Sequence, residues 1–119
     1  MPNTDPNLVY KITTAAIWQK ARADGVVAPM PVDIADGYMH FSTAGQLRET
    51  LARHFAGQSA LMLLAVRTDD VVENLKWEVS RGGALFPHLY ASLGVNSVAW
   101  AEPLAVAADG SVELPEGVK

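Results

Sequence analysis

The sequence predicts a single α+β domain with about six or seven strands and two or three short helices. Half of the 119 residues are hydrophobic, which is enough for one core in a chain of single-domain length. Helix-like periodicity is clearest in the first half of the chain, whereas strand-like segments cluster towards the C-terminus. Asp109 and Gly110 lie between two apolar segments, and this dipeptide favours a hairpin turn. We therefore expect one domain over residues 1–119, with residues 1–7 as a flexible segment and a C-terminal hairpin.

Two strand–helix pairs are predicted in the first half of the chain. Residues 8–12 (LVYKI) form the first strand, and Thr13 or Thr14 can cap the helix that follows. The apolar positions of this helix recur every three residues until Gly25, which is a suitable helix end. Residues 26–35 contain two prolines, which lack backbone donors, so we expect a loop or an irregular extended segment there.

The second pair begins with a strand at residues 37–41 (GYMHF). Thr43 and Gln46 match a capping box, in which each side chain binds the backbone of the other, and they predict a helix that ends at Gly57. Residues 60–66 are too apolar for the edge of a sheet, so we expect a central strand that is covered on both faces.

Shorter elements are expected in the second half of the chain. Residues 77–80 form a strand or a strand end. Residues 81–83 form a flexible turn, because adjacent glycines favour backbone angles that are closed to other residues. Pro87 is predicted to open a short helix over residues 88–93, and residues 95–100 form another strand.

Composition excludes several classes of protein. The formal net charge of −4 and the absence of a basic cluster argue against binding of long nucleic acids. The chain has no cysteine, which excludes disulfides, thiolate nucleophiles and cysteine-based zinc sites. The longest apolar run, residues 60–66, is far shorter than the roughly 20 residues that span a membrane, and the first residues do not resemble a signal peptide. We expect a cytoplasmic protein without a membrane partner, and the sequence indicates no oligomeric state.

Three separated segments carry the polar residues that could form one site. In the first, residues 37–43 (GYMHFST), Tyr38 and His40 point to the face of the strand opposite the apolar one. Ser42 and Thr43 add hydroxyl groups beside a predicted helix start, which attracts anions. His40 could therefore bind an anionic or polar ligand, and a hydrogen bond to the following turn explains it equally well.

The second segment is residues 77–83 (WEVSRGG). Arg81 suits the capture of a phosphate or carboxylate, and the two glycines allow backbone to approach a ligand. Glu78 could act as an acid, a base or an orienting acceptor. A tight turn in which Arg81 pairs with Glu78 or a nearby aspartate is the alternative. The segment also supplies further ligand-binding candidates: Trp77 as a pocket wall, Ser80, Gly82 and Gly83.

The third segment is residues 85–90 (LFPHLY), which contains His88 and Tyr90. In the first turn of the predicted helix, the dipole favours a neutral His88 that can donate a hydrogen bond, act as a base or bind a metal. A buried structural histidine held by a carbonyl is the equal alternative. His54 follows an apolar helical face, so we expect it to be a core or border residue.

Four motifs, taken in order, resemble those of a family of small bacterial proteins known only as a domain of unknown function: YKI, DGYMHFST, WEVSRGG and FPHLY. The resemblance spans about residues 10–98. It implies an ADP-ribosyltransferase-like fold, in which two small, mainly antiparallel sheets hold NAD in a cleft. NAD is therefore the cofactor that the resemblance implies.

The resemblance also implies roles for single residues. In transferases of that fold, the first strand offers a histidine or arginine to the nicotinamide ribose, and Tyr10 or Lys11 stands at this place here. His40 matches a tyrosine or histidine that precedes serine or threonine on a second strand. Glu78 is the carboxylate that could stand for the usual catalytic glutamate, or His88 could replace it.

Three functions remain open from the sequence. The first is a cleft for a nucleotide-like or phosphorylated small molecule, with transferase activity, in which His40 and Arg81 bind anionic groups and Glu78 or His88 moves a proton. The resemblance also implies a likeness to RNA phosphotransferases of that fold, which remove a phosphate with NAD and use basic and histidine residues more heavily. The second is a zinc or non-haem iron site formed by His40, Glu78 and His88. The third is a binding or regulatory module without catalysis. We expect the first, which requires these residues to meet in one cavity.

Overall fold

The computed structural model describes residues 7–80 and 83–118. Within them, the helices and strands follow this order: β1 (Leu8–Thr14), α1 (Ala15–Asp24), β2 (Val26–Val27), α2 (Pro31–Asp36), β3 (Met39–His40), α3 (Leu47–His54), β4 (Leu61–Arg67), α4 (Thr68–Val71), β5 (Leu75–Val79), β6 (Leu85–Leu89), β7 (Leu93–Gly94) and β8 (Val98–Leu104). The predicted α+β class is confirmed. None of these helices is long and apolar enough to cross a membrane.

The described strands form three small antiparallel sheets. The first has the strand order β1-β4-β8, the second has the order β3-β6-β5, and β2 pairs with β7 in a two-stranded ribbon. The central position of β4 confirms the prediction for residues 60–66. Leu61, Leu63 and Ala65 belong to one apolar cluster, whereas Leu64 and Val66 belong to another, so the strand is covered on both faces.

Local signals begin α1 and α3 where helices were predicted, but α3 ends at His54 rather than at Gly57. The hydroxyl of Thr14 accepts a hydrogen bond from the backbone N–H of Ile17 at 3.0 Å, and Gly25 ends the helix with φ 88°. Before α3, the backbone N–H of Thr43 donates to the Gln46 side chain at 3.0 Å, as a capping box requires. These contacts satisfy backbone groups that a helix end leaves unpaired.

Two proline-containing segments differ from prediction. Residues 26–35, predicted to be a loop or an irregular extended segment, contain the short strand β2 and most of helix α2. The helix forms because Pro31 is its first residue, where no amide donor is needed. The helix expected over residues 88–93 is absent from the described chain: Pro87 and His88 lie inside β6. His88 therefore does not lie in a first helical turn, and the predicted effect of a helix dipole on it is wrong.

Pro87 determines where the second sheet ends. Its carbonyl accepts from the backbone N–H of Phe41 at 3.0 Å, but proline has no N–H to return the bond. The chain leaves β6 at this point, and Ser42 pairs instead with Tyr10 of β1 through two backbone bonds of 2.8 and 2.9 Å. Residues 40–42 thereby join the first sheet to the second.

The predicted hairpin at the C-terminal end is a turn with one paired position. Val106 forms a single bridge with Val112, and Gly110 adopts φ 89° in the turn between them. The strand expected over residues 95–100 is confirmed as β8, which begins later, at Val98. The N-terminal segment up to residue 6 lies outside the described residues.

Candidate functional site

The candidate site includes a lysine that is buried on the first strand. Lys11 lies on β1, and only 1% of its surface is exposed. Its Nζ donates to Oδ2 of the equally buried Asp33 at 2.7 Å and to the backbone oxygen of His40 at 3.2 Å. A charge this deep in a core is tolerated only beside an opposite charge. Burial lowers the pKa of Lys11, and Asp33 opposes that shift.

Asp33 lies in the first turn of α2 and accepts several hydrogen bonds. Besides Lys11, Oδ2 accepts from the backbone N–H of Met30 at 2.8 Å, the residue just before the helix. Oδ1 accepts from the backbone N–H of His40 at 3.0 Å and lies 2.7 Å from Nδ1 of the same residue. Burial raises the pKa of Asp33, but the bond from His40 and the charge of Lys11 outweigh this effect and lower the pKa to about 2.

His40 is held between two aspartates. Its Nδ1 contacts Asp33, and its Nε2 lies 2.8 Å from Oδ2 of Asp36, at the end of α2. Each of these two contacts occupies one of the ring nitrogens. His40 thus ties α2 to β3 and has no ring nitrogen left to act as a base.

His88 and Glu78 form a second pair, on the neighbouring strands β6 and β5. His88 is only 4% exposed, and its Nδ1 lies 2.8 Å from Oε1 of Glu78, which also accepts from the Tyr90 hydroxyl at 2.7 Å. The bonds from His88 and Tyr90 lower the pKa of Glu78, and the bond to Glu78 raises the pKa of Tyr90 to about 12. Nε2 of His88 makes no hydrogen bond to any described residue. A proton held on Nδ1 by the carboxylate leaves Nε2 of the neutral ring as an acceptor.

Tyr38 connects two histidine clusters: His40 with Lys11, Asp33 and Asp36, and His88 with Glu78 and Tyr90. Its ring stacks on His88 with centroids 4.2 Å apart and packs against His40 at 4.7 Å. The two imidazole rings are themselves 5.5 Å apart, because His40 lies directly opposite His88 in the β3–β6 register. Burial raises the pKa of Tyr38, and the charges of Asp36 and Glu78 add to that effect.

A cavity of about 530 Å³ opens beside these clusters, where the edge of the first sheet meets the second. This volume is typical of small-molecule sites, which commonly have about 300–1,000 Å³. The residues that contribute aromatic rings, imidazoles or hydroxyl groups to its wall are Tyr10, His40, Phe41, Ser42, Thr50, His54, Phe55, Ser80, Phe86 and His88. A second cavity of about 370 Å³ includes Tyr38 and Tyr90 in its wall.

The described residues contain no group of three His, Asp or Glu side chains that could hold a metal ion. Both ring nitrogens of His40 contact carboxylates, and Nδ1 of His88 contacts Glu78. The zinc or iron site considered from the sequence therefore has no support in this geometry.

The structure brings together most of the residues singled out from the sequence. Six of them line the cavity: Tyr10, Lys11, His40, Ser42, Ser80 and His88. Tyr38 and Glu78 contact the lining histidines, and Tyr90 contacts Glu78. The three segments around His40, Glu78 and His88 therefore meet in one place.

Other predicted ligand-binding residues do not join this group. Thr43 caps the turn before α3. Trp77 is 46% exposed and lies on the face of β5 opposite Glu78, so it does not wall the cavity. Gly83 lies in a turn with φ 82°. Two members of the predicted set lie outside the described residues: Arg81 and Gly82.

Sequence reasoning missed three residues of the site. His54, expected in the core or at its border, is exposed and lines the cavity. Asp33 and Asp36 hold His40 in place. The sequence did contain a signal for Asp33, because Lys11 lies in an apolar strand and a buried lysine requires a carboxylate partner. Nothing in the spacing indicated which acidic residue it would be.

Comparison with known proteins identifies the family. The family described as Protein of unknown function (DUF952) matches residues 12–101. The chain belongs to this family. The DUF952 match includes every residue of the two histidine clusters except Lys11, which immediately precedes it.

Solved structures similar to this DUF952 chain come from protein CC0527 of Caulobacter crescentus. Its crystal structure is 46% identical in sequence to this chain and superposes with a TM-score of 0.85, and the match covers 93% of this chain and 97% of that one. Its solution NMR structure shares 48% identity and a TM-score of 0.77, covering 89% and 90%. No curated protein matches the chain significantly.

Proposed function

We propose that this DUF952 protein binds a nucleotide-like or phosphorylated small molecule in the larger cavity, and that His88 exchanges a proton with the ligand. The arrangement of His88 carries this proposal. Glu78 contacts Nδ1 at 2.8 Å, whereas Nε2 has no partner among the described residues and the ring lines the cavity. A carboxylate in this position orients the ring, fixes its tautomer and stabilises the ring after it has accepted a proton.

The cavity wall supports the class of ligand. Aromatic rings of the wall, such as Phe55 and Phe86, can offer apolar surface to a planar group, and the hydroxyls of Ser42 and Ser80 can bind oxygen atoms. Lys11 adds little positive charge, because Asp33 neutralises it. Polar recognition of a phosphate would then depend on the lining hydroxyl groups and on Nε2 of His88.

An ADP-ribosyltransferase-like fold is also part of the proposal. Two three-stranded antiparallel sheets that meet at one cavity support it. Tyr10 and Lys11 stand where such transferases have a histidine or arginine, and Lys11 is already paired with Asp33. Proton transfer is therefore assigned to His88 of the second sheet, and NAD is the first ligand to test.

A thermal-shift screen tests binding. NAD, nucleoside phosphates and inorganic phosphate are compared, because a ligand that binds only the folded state at about 100 times its Kd adds about 2.7 kcal/mol of stability. We expect at least one nucleotide to raise Tm by several degrees. Ser42→Trp would fill the cavity and should abolish the shift. If no compound shifts Tm, or the shift survives in this variant, the proposed pocket is wrong.

Two substitutions of His88 test proton transfer with any compound that binds. His88→Asn keeps a donor for Glu78 but removes Nε2, whereas His88→Gln places an amide near Nε2 and loses the bond to Glu78. Each should lower kcat by about 100- to 10,000-fold while binding persists. His54→Asn, in the same wall, should change KM and leave kcat within about threefold. Binding without turnover in the wild type would favour a binding or regulatory module.

A further inference from the structure

Strand β5 forms an open edge of the second sheet. It pairs with β6 on one side, and no described strand pairs with its other side. Just beyond one end of β5, the N–H of Tyr90 donates to the C=O of Asn74 at 2.9 Å. At the other end, the N–H of Ser80 donates to the C=O of Ala84 at 2.9 Å. Hydrogen-bonded positions alternate along an antiparallel pair, so the odd-numbered residues of β5 direct their backbone groups to the open edge: Leu75, Trp77 and Val79.

Large apolar side chains are exposed beside this edge, on the face of the sheet that carries Trp77. Trp77 is 46% exposed and Val79 is 69% exposed, and Leu85, directly opposite Val79 on β6, is 51% exposed. A regular edge strand with exposed apolar side chains pairs readily with another chain unless charges, prolines or bulges block it. In β5 only Lys76 and Glu78 are charged, and no proline is present.

The sequence of β5, LKWEV, carries opposite charges on the two sides of its central residue, Trp77. When two copies pair antiparallel with Trp77 opposite Trp77, each Lys76 lies opposite Glu78 of the other copy. Opposite charges directly across a strand pair are stabilising, and like charges are destabilising. A shift of the register by two residues would place Lys76 opposite Lys76, or Glu78 opposite Glu78. The charge pattern therefore favours a single register between two copies.

We propose that this protein forms a two-fold symmetric dimer through antiparallel pairing of β5 with β5 of a second copy. The pairing joins two three-stranded sheets into one sheet of six strands and closes both open edges. It brings the two Trp77 side chains together on the face of the sheet that carries them. On the opposite face, the partner's Lys76 reaches Glu78, the residue that orients His88, so each copy borders the candidate site of the other. The dimer does not depend on the proposed ligand.

Charge exchange between two variants tests the register. Lys76→Glu and Glu78→Lys each place like charges opposite each other in a dimer of identical chains, so each variant alone should remain a monomer. In an equimolar mixture each chain supplies the charge that the other has lost, and a mixed dimer should form. Sedimentation equilibrium over about 1 µM to 1 mM measures the mass, which for the wild type should rise from 12.7 kDa towards twice that value.

Matched controls separate this interface from general charge effects. Lys20→Glu and Glu49→Lys make the same changes on exposed helical residues and should leave dimerisation unchanged. Val79→Pro removes a backbone donor that points to the open edge and keeps the pairing with β6, so it should weaken association at least about tenfold without altering the charge. Circular dichroism checks that every variant folds.

Several results would overturn the proposal. A wild type that stays at 12.7 kDa over the whole range has no such interface. A dimer that resists both charge variants and Val79→Pro uses another surface. A mixture that stays monomeric although both folded variants are present excludes the proposed register.

Discussion

Asp33→Asn should lower the free energy of unfolding by about 3–5 kcal/mol, because it leaves Lys11 buried without a counter-charge. The amide has nearly the same shape as the carboxylate but only one oxygen, so it cannot accept from both backbone N–H groups, those of Met30 and His40, that the two carboxylate oxygens bind. The loss therefore measures charge and hydrogen bonding rather than volume. Only 1% of the surface of Lys11 is exposed, so water compensates poorly for the lost counter-charge. Urea unfolding followed by tryptophan fluorescence at neutral pH measures the change.

The same carboxylate makes stability depend on pH in acid. The pKa of Asp33 is lowered from 3.8 to about 2 in the folded state, so the unfolded chain binds a proton more readily. Its stabilising contribution is present in full above about pH 4 and is lost as the pH falls towards 2, and it amounts to about 2 kcal/mol. The difference between the wild type and Asp33→Asn should therefore shrink over this window.

Two further variants make this prediction refutable. Asp36→Asn removes the other carboxylate on His40, but that side chain is 44% exposed, so the loss should stay below about 1 kcal/mol. Lys11→Met combined with Asp33→Asn should be more stable than Asp33→Asn alone, because no buried charge remains. A loss below about 1 kcal/mol in Asp33→Asn, or a double variant no more stable than the single one, would refute the role of the buried pair.

Other contacts lead to predictions that simpler measurements can check. Glu78→Gln should bring the pKa of Tyr90 down from about 12 towards that of an ordinary tyrosine, and an unchanged phenolate absorbance curve at high pH would show that another group causes the shift. Gly110→Ala should lower the stability of the fold more than Gly25→Ala. Both glycines have left-handed backbone angles, so this strain is common to the two variants. At Gly110 the new Cβ would also lie 3.0 Å from an α3 side chain, whereas at Gly25 it would have no neighbour within 4 Å. Equal losses in urea would contradict this steric reason. Leu51→Ala, at a fully buried position of α3, should lose about 2–5 kcal/mol, and a much smaller loss would mean that the core closes around the gap.

The elements that were predicted correctly depend on local chemistry. Thr14 and Gly25 define α1 through hydrogen bonds and backbone angles that nearby residues alone determine. The central position of β4 followed from a run of apolar side chains, because only a strand covered on both faces can bury them all. Signals of this kind can be read without knowing the rest of the fold.

The segments that were predicted wrongly depend on distant partners. Pro31 is compatible with a loop or with a helix start, and the bonds that Asp33 makes to Lys11 and His40 decide for the helix. Pro87 favours a helix start locally, but pairing on both sides of β6 overrides that preference. Local preference is weak compared with the burial that tertiary contacts provide.

The sequence indicated which segments of the chain form the candidate site, but it did not indicate the role of each side chain in it. The meeting of His40 with His88 follows from the β3–β6 register, which three short motifs could suggest but not establish. That His40 has both ring nitrogens occupied, while His88 keeps one available, depends on where the acidic residues lie in space. Spacing along the chain does not contain that information.

Because Pro87 has no backbone N–H, the chain beside the cavity connects the two sheets. Residues 40–42 act as a short strap that is bonded to one sheet at Phe41 and to the other at Ser42. To spread the two sheets apart, the protein would have to break the pair of backbone bonds on one side of this strap or the single bond on the other. Because residues 40–42 also line the cavity, the spacing of the two sheets beside it is limited by the length of this covalent connection.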